Sequence, residues 1–339
     1  MMGSKGYKVD YVRKCMATVS VLGIVVVLAA AIIWAFASTG YKFALGSAGT
    51  EDRDPITSMS VRILFIDILI TLIVVISAQL PVIFALPPDR ALIYWILGIA
   101  NGAITLIGDI CYFNALRYLD SSRVYPLINI QVIITYPLSF FFFNENIPPL
   151  LWISGILMIL GVALISKKDA QDRGMEKRSA EAQQRTHLLG IILALCVGIS
   201  FALQYLALYA QNQITSSLPL PYNGVFVSNF TRLISYGAIL WVYMLISRKH
   251  LPRWGNPEEK EQLRAYAIMG LIGSVSMGIG DSIYQIGAFA NGNPLSITIS
   301  ANSPLFNQLF ARTILKEKFR QYFLYGVIAI VIANILVVF

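Results

Sequence analysis

The stretch WILGIANGAITLIGDICY, residues 95–112, recurs later in the chain as AIMGLIGSVSMGIGDSIY, residues 267–284. The two segments align without a gap at a separation of 172 positions. The same or nearly the same separation joins residues of the two halves, in one order along the chain: Gly98 and Gly270, Asp109 and Asp281, Tyr112 and Tyr284, Glu145 and Glu317, and Arg62 and Arg232. Matches that keep their order indicate an internal duplication, which predicts one structural unit present twice.

The composition around this repeat is typical of a membrane protein. Hydrophobic residues make up 57% of the 339 residues, charged residues make up 13%, and the mean hydropathy is +0.67. A soluble domain carries about 25% charged residues, so this chain lacks the charge to cover a water-facing surface. A helix needs about 20 apolar residues to cross the hydrocarbon core. Blocks of this size predict ten transmembrane helices, at residues 18–40, 60–81, 91–116, 123–143, 149–166, 188–211, 223–247, 265–289, 293–314 and 319–339.

The predicted fold is an all-α integral membrane protein whose ten transmembrane helices form two inverted five-helix repeats. Residues 1–166 are predicted as the first repeat, residues 167–187 as a polar linker and residues 188–339 as the second repeat. Because five is an odd number of crossings, the second repeat must run through the membrane in the opposite direction. Inverted repeats are common in transporters, where the binding site lies near the middle of the membrane between the repeats.

An even number of spans places both termini on the same side of the cell membrane. Most Lys and Arg residues fall in loops on the other side, which favours termini outside the cell, whereas the basic residues near the N-terminus favour the inside. The expected partners are a lipid bilayer and a small-molecule substrate, with the chain a monomer or a dimer. The net charge of +8 lies mostly in short loops, so it predicts no nucleic-acid partner.

The sequence contains no pattern that indicates an enzyme. The three cysteines, Cys15, Cys111 and Cys196, have unrelated spacings, and the two histidines lie in charged loops. These positions match no metal-ligand spacing, no phosphate-binding loop and no nucleophile with its base. We therefore expect no enzymatic activity, no metal site and no cofactor.

Asp109 and Asp281 are the first candidates for a transport site. Each lies deep in an apolar span, where a charge costs roughly 2.5–3.5 kcal/mol on insertion scales. Tyr112 and Tyr284 follow three residues later and share the helix face of the aspartates. A carboxylate beside an aromatic ring suits a cation or a proton. The alternative is that the aspartates anchor helix packing, either neutral or paired with an arginine.

Arg62 and Arg232 are the repeat-matched cations, and we interpret them as members of structural ion pairs with aspartates. Three embedded aspartates then face two arginines, because Asp67 also lies in an apolar span. The excess of negative charge favours cationic or zwitterionic substrates over phosphates. Asp67 has Gly237 at the matching position of the second half, so it is a candidate for an asymmetric role or for a partner of Arg62.

The predicted fourth and ninth spans are polar and are interrupted by proline. Proline leaves backbone carbonyls free to line a cavity, and paired interrupted segments in transporters point to the binding site. Hydrogen bonding between helices is the alternative role for any one of these polar residues. The prolines are Pro126, Pro137, Pro294 and Pro304. The predicted substrate or coupling-ion residues of these spans, with one aromatic residue of the first span, are Asn129, Gln131, Asn302, Ser303 and Trp34.

The duplication, the paired arginines and two short segments resemble the drug/metabolite transporter superfamily in its ten-helix EamA-type form. The segments are ALRYLDSSRVYPL, residues 115–127, and FFFFNENIPP, residues 140–149. They are similar to the exit of the family's third span and to its short acidic loop after the fourth, where Glu145 and Glu317 stand at the acidic position. The resemblance implies a central cavity lined by spans 1–4 and 6–9, with spans 5 and 10 peripheral, and alternating access without ATP.

The leading hypothesis is a secondary transporter for a small polar amine, amino acid or other cationic or zwitterionic solute, coupled to a proton or a cation. One alternative is a carrier of anions, sugars or nucleotide sugars that uses Arg232. Another is a membrane receptor or assembly subunit that transports nothing. The sequence leaves the substrate, the coupling ion and the direction of transport open.

Overall fold

Helices make up nearly all of the part of the chain that the structure describes. The computed structural model describes residues 20–47, 55–79, 81, 84, 86–119, 124, 127–166, 180–216, 224–248, 257–316 and 322–338, and within these ranges there is no β-strand. The elements are α1 (Val21–Ser47), α2 (Pro55–Ile76), α3 (Pro88–Tyr118), α4 (Gln131–Phe143), α5 (Pro149–Ser166), α6 (Ala180–Thr215), α7 (Val225–Ile246), α8 (Pro257–Gly273), a π-helix (Ser274–Gly280), α9 (Asp281–Asn291), α10 (Asn293–Ser300), α11 (Ser303–Ile314) and α12 (Phe323–Val338).

Apolar side chains cover much of the outer surface of these helices. Phe141 and Ile246 each expose 77% of their surface, and Ile68 exposes 68%. A soluble monomer rarely exposes so much contiguous apolar surface, whereas lipid tails cover it without cost. Among the described residues, six segments are long and apolar enough to cross a membrane: Val21–Ala44, Ile56–Ile76, Pro88–Tyr118, Leu188–Thr215, Val225–Ile246 and Glu259–Asn291. Shorter apolar helices cover Gln131–Phe143, Pro149–Leu164 and Leu324–Leu336.

Several predicted spans have different boundaries in the structure. The predicted span 293–314 is two helices, α10 and α11, because Ala301 and Asn302 form a turn between them. Proline lies in the first turn of each of these helices, where the N–H that it lacks has no helical partner. The predicted span 265–289 consists of the end of α8, the π-helix and most of α9. A turn at Asn129 and Ile130 likewise precedes α4.

A helix begins within the stretch 167–187 that is predicted as a polar linker. Helix α6 already begins at Ala180, and residues 167–179 lie outside the described residues. The segment AEAQQRTH at the start of α6 is polar but rich in helix-forming residues, so it extends the apolar helix by two turns. Pro126 and Glu317 also lie outside the described residues.

The helices pack side by side with close backbone approaches at glycine. Helix α3 packs along α6 and α7, α1 packs along α9 and α11, α2 packs against α7 and α8, and α5 packs on α12. At Gly102 of α3, a Cβ atom would lie 2.7 Å from the backbone oxygen of Arg232 and the backbone nitrogen of Tyr236 on α7. A larger residue cannot occupy this crossing without moving one helix.

The buried apolar side chains form two large clusters that meet in the middle of the molecule. One cluster joins α1, α2, α3, α6, α7, α8 and the π-helix around Tyr41, Ile66 and Tyr236. The other joins α1, α4, α5, α6, α9, α10 and α12 around Trp34, Tyr205 and Tyr284. Helix α1 contributes to both clusters, and the polar residues that follow lie along it.

Candidate functional site

A cavity with about 680 Å³ of empty space lies where the two apolar clusters meet. This volume includes space that is open to the outside of the protein. Residues of α1, α2, α3, α4, α6, the π-helix, α9 and α11 line the cavity. The lining includes eight of the residues singled out from the sequence: Trp34, Arg62, Asp109, Tyr112, Asn129, Gln131, Asp281 and Ser303.

Arg62 of α2 and Asp109 of α3 form a buried ion pair through Arg62 Nη2 and Asp109 Oδ2. The Tyr236 hydroxyl donates to Asp109 Oδ2 at 3.0 Å and accepts from Arg62 Nη2 at 3.1 Å. Arg62 Nη1 donates to the Tyr41 hydroxyl at 3.3 Å, and the guanidinium carbon lies 4.9 Å from the centre of the Phe113 ring. Such additional partners are what make a buried ion pair tolerable, because removing two charges from water is costly.

Arg232 of α7 and Asp281 of α9 form the matching pair in the second half. Arg232 Nη2 donates to Asp281 Oδ2 at 2.6 Å and to Asn229 Oδ1 at 2.6 Å. The indole nitrogen of Trp34 donates to the other carboxylate oxygen of Asp281 at 2.8 Å. Asp281 lines the cavity, whereas Arg232 has no exposed surface and lies behind it.

The π-helix supplies backbone oxygens to the second pair. Asn229 Nδ2 donates to the carbonyls of Met277 and Gly278 at 2.8 and 3.1 Å, and Arg232 Nη2 reaches the Met277 carbonyl at 3.5 Å. A π-helix changes the hydrogen-bond spacing from i+4 to i+5 and is frequent at functional sites. Here the π-helix ends at the residue before Asp281 and presents Met277 to the cavity.

Three aromatic rings pack together at the cavity wall and directly behind it. The ring centre of Trp34 lies 5.6 Å from that of Tyr205 and 5.3 Å from that of Tyr284, and the two tyrosine rings are 4.7 Å apart. These separations are typical of attractive aromatic contacts. Trp34 and Tyr205 face the cavity, while Tyr284 lies behind them and its hydroxyl donates to Asn293 Oδ1 at 3.1 Å.

Two side-chain amides in the lining have buried atoms without a hydrogen-bond partner among the described residues. These atoms are Nδ2 of Asn129 and Oε1 of Gln131. The turn at 129–130 places both residues at the cavity wall, two positions apart. An unpartnered buried polar group costs about 1–3 kcal/mol, so both amides have unused hydrogen-bonding capacity beside the cavity.

Four predicted residues do not line the cavity. Arg232 and Tyr284 lie directly behind the lining, as described above. Asn302 donates to the Ile299 carbonyl at 2.6 Å and exchanges hydrogen bonds with Asn334 of α12, so it joins helices. Asp67 faces Gly237 of α7, and its Oδ1 atom has no hydrogen-bond partner among the described residues. Its expected partner Arg62 pairs with Asp109 instead.

The sequence analysis missed several residues that line or support the cavity. Ser38 accepts a hydrogen bond from the Tyr112 hydroxyl at 2.9 Å, and Tyr41 contacts Arg62. Together with Trp34 and Ala37 these residues form one face of α1, so helical spacing from Trp34 is a signal that would have found them. The role of Tyr236 depends on the contact of α7 with α3, which no local pattern encodes.

The charged side chains at the cavity wall balance one another. Each carboxylate in the described lining has its own arginine, so neither Asp109 nor Asp281 is left without a counter-ion. The polar groups that remain for a ligand are amides, hydroxyls and the indole and phenol rings. This arrangement suits a ligand whose own charges balance or are absent.

Residues 21–167 match the EamA-like transporter family. This match confirms, over the first half of the chain, the resemblance to the drug/metabolite transporter superfamily seen in the sequence, and it indicates a multi-pass integral membrane transporter of that type. No curated protein matches the chain. A solved crystal structure is similar with a TM-score of 0.64 at 14% identity, covering 93% of this chain and 94% of its own. That likeness shows the fold alone.

Proposed function

We propose, from the match of residues 21–167 to the EamA-like transporter family, that the chain is a secondary transporter working by alternating access without ATP. Its cargo is a small polar metabolite such as an amino acid or another zwitterionic solute, and its energy source is a proton or cation gradient. The cavity between α1, α3, α6 and α9 is the binding site in this proposal.

The backbone supports the proposal that the chain consists of two inverted five-helix halves. Outside glycine, the positive φ angles among the described residues are at Ala78 (52°), Asn144 (57°), Arg248 (49°) and Lys316 (58°). Ala78 and Arg248 are 170 positions apart, and Asn144 and Lys316 are 172 positions apart. These are the separations of the sequence repeat. A left-handed residue commonly ends a helix, so matched helix ends favour a duplicated unit.

The contacts between helices support the same proposal. In a two-fold arrangement, the contact of α3 with α6 is the counterpart of the contact of α1 with α8 and α9, and both are present. The contact of α3 with α7 corresponds to that of α2 with α8, which is also present. Gly161 of α5 and Gly326 of α12 approach closely, as helices related to each other by the axis would. The turns at 129–130 and 301–302 are also 172 positions apart.

In this proposal residues 1–166 and 188–339 are the two repeats, and the polar stretch between them is a linker. Both termini lie on one side of the cell membrane. The chain functions as a monomer or a dimer in the bilayer. Asp109 and Asp281, one from each repeat, meet at the middle of the membrane, as the site of an inverted-repeat transporter is expected to.

The observation that carries the substrate class is the pairing of both cavity carboxylates with arginine. Because Arg62 and Arg232 already neutralise Asp109 and Asp281, a net anion finds no unpaired cation in the described lining. This weighs against the anion carrier that uses Arg232. A neutral sugar is the second candidate, since the unpartnered amide atoms of Asn129 and Gln131 and the nearby Trp34 ring suit hydroxyl groups and a sugar face.

A ligand-stabilisation screen tests the proposal directly. The full chain in detergent is heated with amino acids, amines, sugars, nucleotides and inorganic anions in turn, and compounds that raise its Tm are assayed for uptake into proteoliposomes. We expect zwitterionic compounds to raise Tm and to be taken up. Gln131→Ala is expected to weaken their Kd about tenfold, which corresponds to about 1.4 kcal/mol.

Asn302→Ala is the matched control, because it removes a buried amide that joins α11 to α12 outside the cavity. It is expected to lower Tm while leaving Kd unchanged. Stabilisation by phosphates or nucleotides alone would replace the proposal with the anion carrier. The absence of any stabilising compound together with the absence of uptake would favour a receptor or assembly subunit.

A further inference from the structure

Glu145 lies outside the cavity, yet it is connected to it by a continuous series of contacts. It belongs to the 144–148 connection between α4 and α5, beyond the end of the apolar helix. Its Oε1 atom accepts a hydrogen bond from the Tyr209 hydroxyl at 2.9 Å and one from the backbone N–H of Asn293 at 3.3 Å. Asn293 in turn accepts from Tyr284, whose ring contacts the cavity residue Tyr205.

These contacts join the two halves of the chain beside the aromatic rings of Tyr205 and Tyr284. Glu145 comes from the first half, whereas Tyr209 of α6 and Asn293 of α10 come from the second. Tyr209 lies one helical turn beyond Tyr205, and its ring packs edge-on against Phe143 at 5.0 Å. Separation of the halves beside these rings therefore has to break both hydrogen bonds to Glu145.

The surroundings of Glu145 suit a proton better than a fixed negative charge. Its second carboxyl oxygen, Oε2, is buried without a hydrogen-bond partner among the described residues. The groups that interact with the Glu145 carboxyl are Tyr209 from α6, Tyr284 from α9, Ser139 from α4 and Asn293 from α10. None of these described groups is a Lys, Arg or His. Burial raises the pKa of Glu145, while the hydrogen bonds from its neighbours lower it by less.

We propose that Glu145 is the proton site that couples this transporter, taking up a proton when the Tyr205 end of the cavity closes and releasing it when that end opens. This rests on the proposed alternating access. The direction of the pH effect follows from linkage, because the conformation in which a group has the higher pKa is favoured at low pH. The closed conformation buries Glu145 and raises its pKa, so acid favours closure, and ionisation at alkaline pH favours opening.

A buried thiol at the closed end reports on this movement without any substrate. Ala288 lies one turn beyond Tyr284 on α9 and is 0% exposed. The reporter is Ala288→Cys in the full chain after Cys15, Cys111 and Cys196 are replaced by Ser, in lipid nanodiscs. The measured quantity is the rate of its reaction with a water-soluble methanethiosulfonate at about pH 5.5 and about pH 8.5, on either side of the range where a raised carboxyl pKa is expected.

The Glu145→Gln variant, which stays neutral at every pH, carries the same reporter as a reference. At each pH the rate of the parent is divided by the rate of this variant, so that the ionisation of the thiol itself cancels. We expect this ratio to rise at least about threefold from the acidic to the alkaline measurement, because ionised Glu145 favours opening. A ratio that does not change with pH, or that falls as pH rises, would overturn the proposal.

If Glu145→Gln does not fold, Tyr209→Phe replaces it. That variant loses one hydrogen bond to the carboxyl, and we expect labelling about threefold faster than in the parent at each pH. Labelling at the parent rate would overturn the proposal as well.

The outcomes separate this inference from the transport function. A ratio independent of pH removes the role of Glu145 and leaves transport by the cavity standing. A ligand screen and uptake assay without any active compound removes transport, whatever the reporter shows.

Discussion

Arg62 and Asp109 pair in the wall of the cavity, whereas in the matching pair of the second half Arg232 lies behind Asp281 without exposed surface. The first pair makes its additional hydrogen bonds with tyrosine hydroxyls, and the second makes them with an asparagine and an indole. The element that carries the aspartate also differs. Asp109 lies within the long α-helix α3, while Asp281 directly follows a π-helix.

In each pair the aspartate accepts a hydrogen bond from a residue of the other half. The position that matches this donor in the sequence repeat carries an apolar residue. Tyr236 donates to Asp109, and the residue 170 positions before it is Ile66. Trp34 donates to Asp281, and the residue 167 positions after it is Phe201. The duplicated unit thus supplies the ion pair twice, while the hydrogen bonds between the halves are specific to each half. This difference teaches that the arginines and aspartates hold each half together and that the residues between the halves determine its asymmetry.

The largest effect that tests this comparison is expected from removing an arginine. Arg232→Met leaves Asp281 buried without its counter-ion, and such a loss costs about 3–5 kcal/mol. Arg62→Met should cost less, because Arg62 itself lines the cavity, so that water can take the place of its guanidinium beside Asp109, whereas Arg232 has no exposed surface. Thermal unfolding in detergent measures both. Equal losses would mean that the two pairs are equivalent, and the double variant Arg232→Met/Asp281→Asn should recover part of the loss.

A smaller effect is expected from the helix crossings that position the pairs. Gly102→Ala places a methyl group against the backbone of α7 at 2.7 Å, an overpacking that costs about 2 kcal/mol. Gly278→Ala meets a single side-chain atom at 3.4 Å, so we expect little change. Chemical or thermal unfolding of the two variants side by side gives the answer. A destabilised Gly278→Ala with an unaffected Gly102→Ala would reverse the comparison.

The smallest effect is expected from the hydrogen bonds between the halves. Tyr236→Phe removes one donor to Asp109 and keeps the ring, which should cost about 1 kcal/mol. Phe201→Tyr, at the counterpart of Trp34, is a control that adds a hydroxyl without removing a bond to either aspartate. The difference in Tm between each variant and the parent checks this. An unchanged Tm for Tyr236→Phe would show that the Arg62 and Asp109 pair is sufficient by itself.

Much of the architecture follows from the sequence because membrane helices are long apolar blocks that satisfy their own backbone. Composition predicted an all-α membrane protein, and the described residues and the family match confirm that fold class. The boundaries at 129–130, at 301–302 and at Ala180 were not predicted. Proline marks a region where a helix can break, but neighbouring helices decide at which residue it does.

The candidate site, like the architecture, was predicted in part from the sequence. Polarity inside an apolar block identified Asp109, Asp281, Asn129, Gln131 and Ser303, because a polar group in lipid needs a reason to be there. Their roles in transport remain predictions. Ser38 and Tyr41 were missed although they share the α1 face of Trp34, whereas the contact of Tyr236 with Asp109 depends on how α7 packs on α3.

By itself the sequence determined that the chain is helical and that it crosses a membrane, and it predicted that its parts are duplicated, because hydropathy and repeated residues can be read along the chain. Only the tertiary structure decided which arginine meets which aspartate, that Arg232 lies behind the cavity, and that Glu145 joins the two halves. These facts depend on contacts between residues 47 to 148 positions apart, and the free energy of such a contact depends on how the helices pack.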